Sequence, residues 1–178
     1  MKLRSDGLQL VPLDDRHAET FSHDLTSGEN FRYTFTGSVP KTTRELIEEW
    51  DQERKAGAHL WAIDRYSFVG IIGLYAPRHF TRSWEFRIMI SAPGLLGKGI
   101  GTLATRAVVD WGFKRLNAHR IWLGVNAENL GAIKCYEKVG FKREGVLREE
   151  IWSQGKYVDA VRYSILEGEW DTPKVLEM

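Results

Sequence analysis

Residues 93–105 read PGLLGKGIGTLAT and join a predicted strand to a predicted helix. Glycines stand at 94, 97, 99 and 101, and the apolar period of a helix begins after the third of them. Glycine lets the chain curl and approach a ligand closely, and the first amides of a helix have no partner within the helix. With the positive end of the helix dipole behind them, such amides bind phosphate. The segment therefore predicts an anion cradle; a tight turn without a ligand is the alternative.

Two common phosphate-binding motifs do not fit this segment. A P-loop requires GxxxxGK followed by Ser or Thr, but Lys98 is followed by Gly99. A dinucleotide fingerprint can be aligned with Gly99, Gly101 and Ala104 as GxGxxA, yet several strands precede it. In addition, no acidic residue ends the next strand to bind a ribose. A nucleotide-binding domain is thus kept only as an alternative function, and a metal site is not predicted because no metal-binding spacing joins the histidines.

The elements around the cradle alternate between strand and helix patterns. Apolar residues at i, i+3 and i+4 predict a helix from Gly99 to Leu116, which Asn117 ends. A capping box of Thr42 and Glu45 opens another helix, which ends near residue 56. The other predictions are strands over 9–12, 59–64, 68–75, 83–91 and 119–125, helices over 15–25 and 130–139, and a hairpin over 146–166 that turns at 153–156. The fold class is therefore α/β or α+β with a mixed sheet.

The composition favours one domain, residues 1–178, with 43% apolar and 28% charged residues. A formal net charge of +1 favours neither nucleic acid nor an anionic membrane surface as a partner. The single cysteine, Cys135, excludes an internal disulfide framework and fits a reducing compartment. Because the first residues contain no apolar core of signal-peptide length, a cytoplasmic location is expected.

A second informative segment, residues 125–141, reads VNAENLGAIKCYEKVGF and runs from a strand end through a short helix. Together, LGKGIGTLAT and NLGAIKCYEKVGF resemble motifs A and B of the GCN5-related N-acetyltransferases, which move an acetyl group from acetyl-CoA to an amine. The resemblance is strong from Trp84 to Phe141. WEFRIMIS and EEIWSQGKYVDAVRYSI are most similar to the branch of ribosomal-protein N-terminal acetyltransferases and spermidine acetyltransferases. One departure is Leu96, where the family usually has Gln or Arg.

The resemblance implies a mixed, mostly antiparallel sheet of about seven strands with about four helices, splayed at the acyl-CoA site. It implies acetyl-CoA as the co-substrate, with its pyrophosphate on the amides of Gly97, Lys98, Gly99, Gly101 and Thr102. The strand end formed by Ile88, Met89, Ile90 and Ser91 would pair with the pantetheine arm through its backbone. Asn129 would bind the same arm, and it could serve as a helix N-cap at the same time.

Tyr136 stands where the family has the tyrosine that can protonate the departing thiolate. A phenol with a pKa near 10 is protonated at neutral pH, so it can donate a proton to a thiolate whose pKa is about 8.5. The alternative is that Tyr136 only packs with Ile133 on the apolar face of the helix.

Glu85 is the leading candidate for the base that deprotonates the amine. It lies where the family often has a carboxylate, and Trp84 and Phe86 are expected to desolvate it and raise its pKa. The alternative is an ordinary strand glutamate that pairs with an arginine such as Arg87. By chemistry alone, His79 and His119 are other candidate bases, although His119 is expected at the wrong end of the sheet.

The resemblance assigns the acceptor side to the early helices, their connecting loop and the final hairpin. An apolar lining of Phe31, Tyr33, Phe35 and Trp152 favours a peptide N-terminus or a small amphipathic amine. A slight acidic excess in the same stretches makes a polyamine the alternative acceptor. A CoA-binding module that has lost catalysis is a further alternative, and the sequence leaves room for a homodimer.

Overall fold

The computed structural model describes residues 7–27, 41–77, 81–92 and 94–171. This part of the chain forms one sheet and four α-helices. The strands are β1 (Leu8–Pro12), β2 (His59–Arg65), β3 (Phe68–Tyr75), β4 (Ser83–Ile90), β5 (Arg120–Asn126), β6 (Lys142–Ser153) and β7 (Lys156–Leu166). The helices are α1 (Arg16–Ser27), α2 (Thr43–Lys55), α3 (Ile100–Leu116) and α4 (Leu130–Val139), and a short 3₁₀ turn (Glu167–Glu169) follows β7.

Local signals in the sequence set the ends of several helices. Thr42 caps α2, and its hydroxyl and amide exchange hydrogen bonds with Glu45, so the predicted capping box is confirmed. Asn117 ends α3 and Gly140 ends α4, both in the left-handed conformation with φ of 49° and 113°. The hairpin turns through Gln154 and Gly155, whose φ values of 50° and 80° fit a two-residue turn between antiparallel strands.

The seven strands follow the order β1-β2-β3-β4-β5-β7-β6. Every neighbouring pair is antiparallel except β4 and β5, which run parallel. Their ladder contains three residue pairs, from Ser83 with Arg120 to Glu85 with Trp122. Beyond Glu85 the two strands continue without pairing to each other, so the sheet opens into a gap between them. The predicted fold class, strand number and splayed sheet are confirmed.

Helices cover both faces of the sheet. On one face, α1 and α2 bury a core that includes Phe21, Leu46 and Trp50. On the other face, α3 and α4 pack over a larger core that includes Val108 and Phe86. Side chains of β4 alternate between these two cores, since Phe86 and Ile88 pack in the larger one and Met89 packs in the other.

The register of β3 against β4 depends on Gly70, which is paired with Ile90. A Cβ atom at position 70 would lie 2.0 Å from the carbonyl oxygen of Met89 and 2.9 Å from the Cα of Ile90. These are backbone atoms that no side-chain rotation can move away, so the two strands approach this closely only because the residue is glycine.

The largest difference from the predicted elements concerns the start of β6. The predicted hairpin begins at residue 146, whereas β6 begins at Lys142 and includes the exposed residues Arg143 and Glu144. β6 is an edge strand, and charged side chains are common on edges because they oppose further strand pairing. Among the described helices, none is both long and apolar enough to span a bilayer.

Candidate active site

The cradle lies at the end of β4 and leads directly into α3. Gly94, Gly97 and Gly99 have φ values of 71°, 73° and 81°, a region that other residues rarely adopt. Gly99 is the N-cap of α3 and has no side chain to satisfy the first helical amides. The amide of Leu103 donates to the carbonyl of Gly99 at 3.1 Å, so helical bonding begins there. The amides of residues 100–102 precede it and belong to the unpaired first turn.

The predicted pyrophosphate ligands Gly97, Lys98, Gly99, Gly101 and Thr102 therefore fall within one exposed loop and the first turn of α3. A Cβ atom at Gly97 or Gly99 would meet no heavy atom of the described residues within 4 Å, so this surface is open to a ligand.

The side chain of Thr102 links the cradle to α4. Its Oγ1 lies 3.3 Å from the Sγ of Cys135. The start of α3 therefore packs against the middle of α4.

The gap between β4 and β5 begins after Glu85 and extends along β4 toward the cradle. Ile88 and Ile90 pack against the core under α3 and α4, whereas Met89 packs on the opposite face. The backbone of this strand end lies along the gap, as expected for pairing with an extended ligand. Ser91 differs, because its amide donates to the carbonyl of Val69 at 2.9 Å and its hydroxyl is buried. Its amide and side chain are therefore occupied by protein partners.

Tyr136 lies on α4 and is 7% exposed. Its ring packs at right angles to Phe86 of β4, with 6.2 Å between ring centroids, and contacts Phe141 at 6.0 Å. Burial raises the pKa of Tyr136 above its ordinary value of 10, because the charged phenolate is poorly solvated there. The phenol is therefore protonated at neutral pH, which a proton donor requires.

Asn129 caps α4, and its side chain accepts a hydrogen bond from the amide of Ala132 at 3.1 Å. The preceding residue, Glu128, forms an ion pair with Lys156 of the hairpin turn at 2.6 Å. The start of α4 and the tip of the β6–β7 hairpin are therefore held together at one end of the gap.

Glu85 is the last residue of β4 that pairs with β5. Arg87 donates to both of its carboxylate oxygens, at 2.8 and 3.0 Å. Phe86 and Trp84 pack against the core under α3 and α4, on the face opposite Glu85. The expectation that these two rings desolvate Glu85 is therefore wrong, because successive residues of a strand point to opposite faces. The ion pair with Arg87, which the sequence offered as the alternative, is present.

Arg87 also connects Glu85 to α2. Its guanidinium lies 4.0 Å from the centre of the Tyr75 ring and 3.6 Å from a carboxylate oxygen of Glu53. Burial raises the pKa of Tyr75 to about 12, so this phenol stays neutral. Sequence reasoning did not find the contribution of Glu53 and Tyr75, because contacts between α2, β3 and β4 leave no local pattern.

The remaining predicted site residues are Trp152, the alternative bases and the aromatic residues of the acceptor side. Trp152 lies on β6, is 47% exposed and packs edge-on against Tyr157 at 4.8 Å. His119 pairs with Glu167 at 2.8 Å, beside the start of β5 and at the opposite end of that strand from the gap. Phe31, Tyr33, Phe35 and His79 lie outside the described residues. In the described ranges, no three His, Cys, Asp or Glu side chains come together as a metal site would require.

Comparison with known proteins identifies the family. Residues 8–142 match the model of the acetyltransferase (GNAT) domain. The spermidine N(1)-acetyltransferase of Vibrio cholerae is 38% identical over 153 residues, which are 84% of this chain and 88% of that protein. The Escherichia coli enzyme of the same name is 39% identical over 102 residues, which are 57% of this chain and 54% of that enzyme.

A solved structure supports the same assignment. The crystal structure of the Vibrio cholerae spermidine N-acetyltransferase with CoA and spermine superimposes with a TM-score of 0.82 and 28% identity, over 93% of this chain and 98% of that one. The chain belongs to the GNAT family of acetyltransferases. The class predicted from the sequence, an N-acetyltransferase with acetyl-CoA as co-substrate, is confirmed at the level of the family.

Substituting Gly101 by Val tests the cradle. A Cβ atom there has one neighbour in the described structure, the Sγ of Cys135 at 3.8 Å, so the variant should fold. The bulk of the valine should cover the first helical amides and raise the Kd of acetyl-CoA at least about tenfold in calorimetry. Lys98→Ala should have a smaller effect, because an exposed charge is screened by salt. An unchanged Kd in folded Gly101→Val would contradict this placement of the pyrophosphate.

Proposed function

We propose that this chain, acting as one domain, transfers the acetyl group of acetyl-CoA to a primary amine by direct attack in a ternary complex. The observation that carries the proposal is the gap between β4 and β5. Tyr136 contacts Phe86 on one face of the sheet at this gap, and Glu85 lies on the other face at its closed end. A thioester in the gap would therefore have a proton donor on one side and a proton acceptor on the other.

The reaction needs two proton movements. The lone pair of the neutral amine attacks the thioester carbonyl carbon, a C–N bond forms and the C–S bond breaks. The departing thiolate takes the phenolic proton of Tyr136, so CoA leaves as a neutral thiol, and the phenolate regains a proton from solvent before the next turnover. The amine nitrogen loses its proton to Glu85, directly or through water. Both oxygens of Glu85 accept a hydrogen bond from Arg87, and each has a second lone pair that can accept the amine proton.

The acceptor is proposed to be a polyamine, with a peptide N-terminus or another small primary amine as the second candidate. The polyamine is supported by two of the relatives, from Escherichia coli and Vibrio cholerae, which are spermidine N(1)-acetyltransferases. Glu53 and Glu85 also give the α2 side of the site a negative charge, which favours a cationic amine.

The second candidate, a peptide N-terminus or another small primary amine, is favoured because the carboxylates of α2 already have partners within the protein. Glu45 is used in the capping box, Glu48 pairs with Arg44 and Glu49 pairs with Lys41. Glu53 lies near Arg87, so a polycation would have to compete with existing ion pairs. A monovalent amine would need to displace fewer of them.

The location and assembly of the chain are also proposals. A cytoplasmic location is supported by the single cysteine. A homo-oligomer is supported by the dodecameric structure reported for the Vibrio cholerae enzyme.

Tyr136→Phe tests the proton donor. Turnover should fall about 10²-fold, while the Kd of acetyl-CoA should stay within about twofold, since thiolate charge develops only in the transition state. Because burial raises the pKa of this phenol, wild-type kcat should not decline below pH 10 through loss of this proton. A variant that loses binding and turnover together would show that Tyr136 has only a packing role.

Glu85→Gln tests the base, with Glu53→Gln as its matched control. Both changes remove one carboxylate partner of Arg87. If Glu85 accepts the proton, kcat should fall about 10²-fold in Glu85→Gln and stay close to wild type in Glu53→Gln. The two variants should bind acetyl-CoA equally well. Wild-type turnover by Glu85→Gln would assign the base to water or to another residue.

A thiol-release screen of polyamines, N-terminal peptides, amino acids and aminoglycosides tests the acceptor. Spermidine should give the highest kcat/KM if the polyamine proposal is correct. A higher kcat/KM for a peptide would reverse the order of the two candidates. Absence of thiol release with every amine, by a protein that binds acetyl-CoA, would favour a catalytically inactive CoA-binding module.

A further inference from the structure

Asp24 is a buried carboxylate of α1 that the proposed chemistry does not use. It is 8% exposed, and its Oδ2 accepts a hydrogen bond of 2.8 Å from the hydroxyl of Ser91, which is 2% exposed. The two residues are 67 positions apart in the sequence. The imidazole of His23 lies 3.8 Å from the other oxygen of Asp24, but its side chain is 78% exposed.

Burial of this pair needs an explanation beyond packing. Moving a carboxylate out of water is costly, and within the described ranges the hydroxyl of Ser91 is the donor that replaces part of its hydration. An apolar pair of similar size would hold α1 against the sheet without that cost, as Ala18, Phe21 and Leu25 of the same helix already do. A hydrogen bond differs from an apolar contact in being directional, so it fixes the orientation of the groups it joins.

Ser91 lies where the chain leaves the sheet, so a fixed orientation of its side chain would control the direction of the residues that follow. Ser91 directly follows β4, and the amides of Ser91 and Ala92 both donate to the carbonyl of Val69, at 2.9 and 3.0 Å. The chain leaves the sheet at this point and enters the glycine-rich cradle. The hydroxyl of Ser91 is thus a side-chain anchor between the end of β4 and the cradle, and Asp24 holds it from α1.

We propose that Asp24 and Ser91 are positioning residues for acetyl-CoA. Their hydrogen bond sets the direction in which the chain leaves β4, and so aligns the amides of residues 97–102 with the pyrophosphate. The proposal rests on the placement of acetyl-CoA under Proposed function. It concerns the alignment of the loop before the ligand arrives, not contact with the ligand.

Ser91→Ala removes the donor and tests the proposal. The Kd and KM of acetyl-CoA should rise about tenfold, the effect of losing about one hydrogen bond to a charged group. At saturating acetyl-CoA, kcat and the KM of the amine should stay near wild type, because Tyr136 and Glu85 are unchanged. Asp24→Asn keeps an oxygen that can accept from Ser91 and should preserve the affinity, whereas Asp24→Leu should behave like Ser91→Ala.

Ser164→Ala is the matched control. Ser164 is 5% exposed and donates to the carboxylate of Glu144 at 2.6 Å, on β7 rather than at the cradle. This variant should lose a similar amount of thermal stability but bind acetyl-CoA like the wild type. Equal acetyl-CoA Kd values for Ser91→Ala and Ser164→Ala would overturn the proposal.

Hydrogen exchange of the ligand-free protein tests the loop anchor independently of acetyl-CoA binding, and therefore independently of the proposed function. The hydrogen-bonded amides of Ala92 and Leu103, on either side of the cradle glycines, should exchange faster in Ser91→Ala than in wild type, and at the wild-type rate in Ser164→Ala. Unchanged exchange in Ser91→Ala would overturn the positioning role even if acetyl-CoA binds. Faster exchange in a protein that does not bind acetyl-CoA would instead uphold the loop anchor and contradict the proposed function.

Discussion

The short parallel ladder between β4 and β5 is the constraint on which the site depends. It ends at Glu85 and Trp122, and the strands then separate without another strand entering between them. Unpaired backbone groups inside a protein are costly, so a gap of this kind persists when a ligand or solvent can satisfy them. On the α4 side, the rings of Phe86, Tyr136 and Phe141 pack together beside this gap. The same divergence therefore creates space for an extended ligand and puts a phenol next to it.

Local chemistry explains why much of the fold could be predicted from the sequence. The capping box at Thr42, the left-handed stops at Asn117 and Gly140, and the glycines of the cradle all act within a few residues, so their signals are visible in a single stretch. The start of β6 was predicted too late, because its charged residues obscure the apolar alternation on which strand prediction depends.

The candidate site was less predictable, because its contacts join distant parts of the chain. Strand alternation alone is sufficient to place Glu85 and Arg87 on one face and Phe86 on the other. The sequence therefore already argues against desolvation of Glu85 by the ring of Phe86. By contrast, the approach of Glu53 to Arg87 depends on how α2 lies against the sheet, and no local pattern encodes it. The glycine motif predicts where the cradle lies. The hydrogen bond between Ser91 and Asp24, by contrast, joins residues 67 positions apart and is visible only in the three-dimensional structure.

The close approach at Gly70 has a consequence for the chemistry. A shift of β4 by one residue would exchange its two faces, moving a carboxylate into the apolar core and an aromatic ring toward the acceptor. The fit of Gly70 against the backbone of Met89 and Ile90 opposes such a shift. A residue without a side chain, in the neighbouring strand, thus helps to decide which face of the sheet carries Glu85 and which carries Phe86.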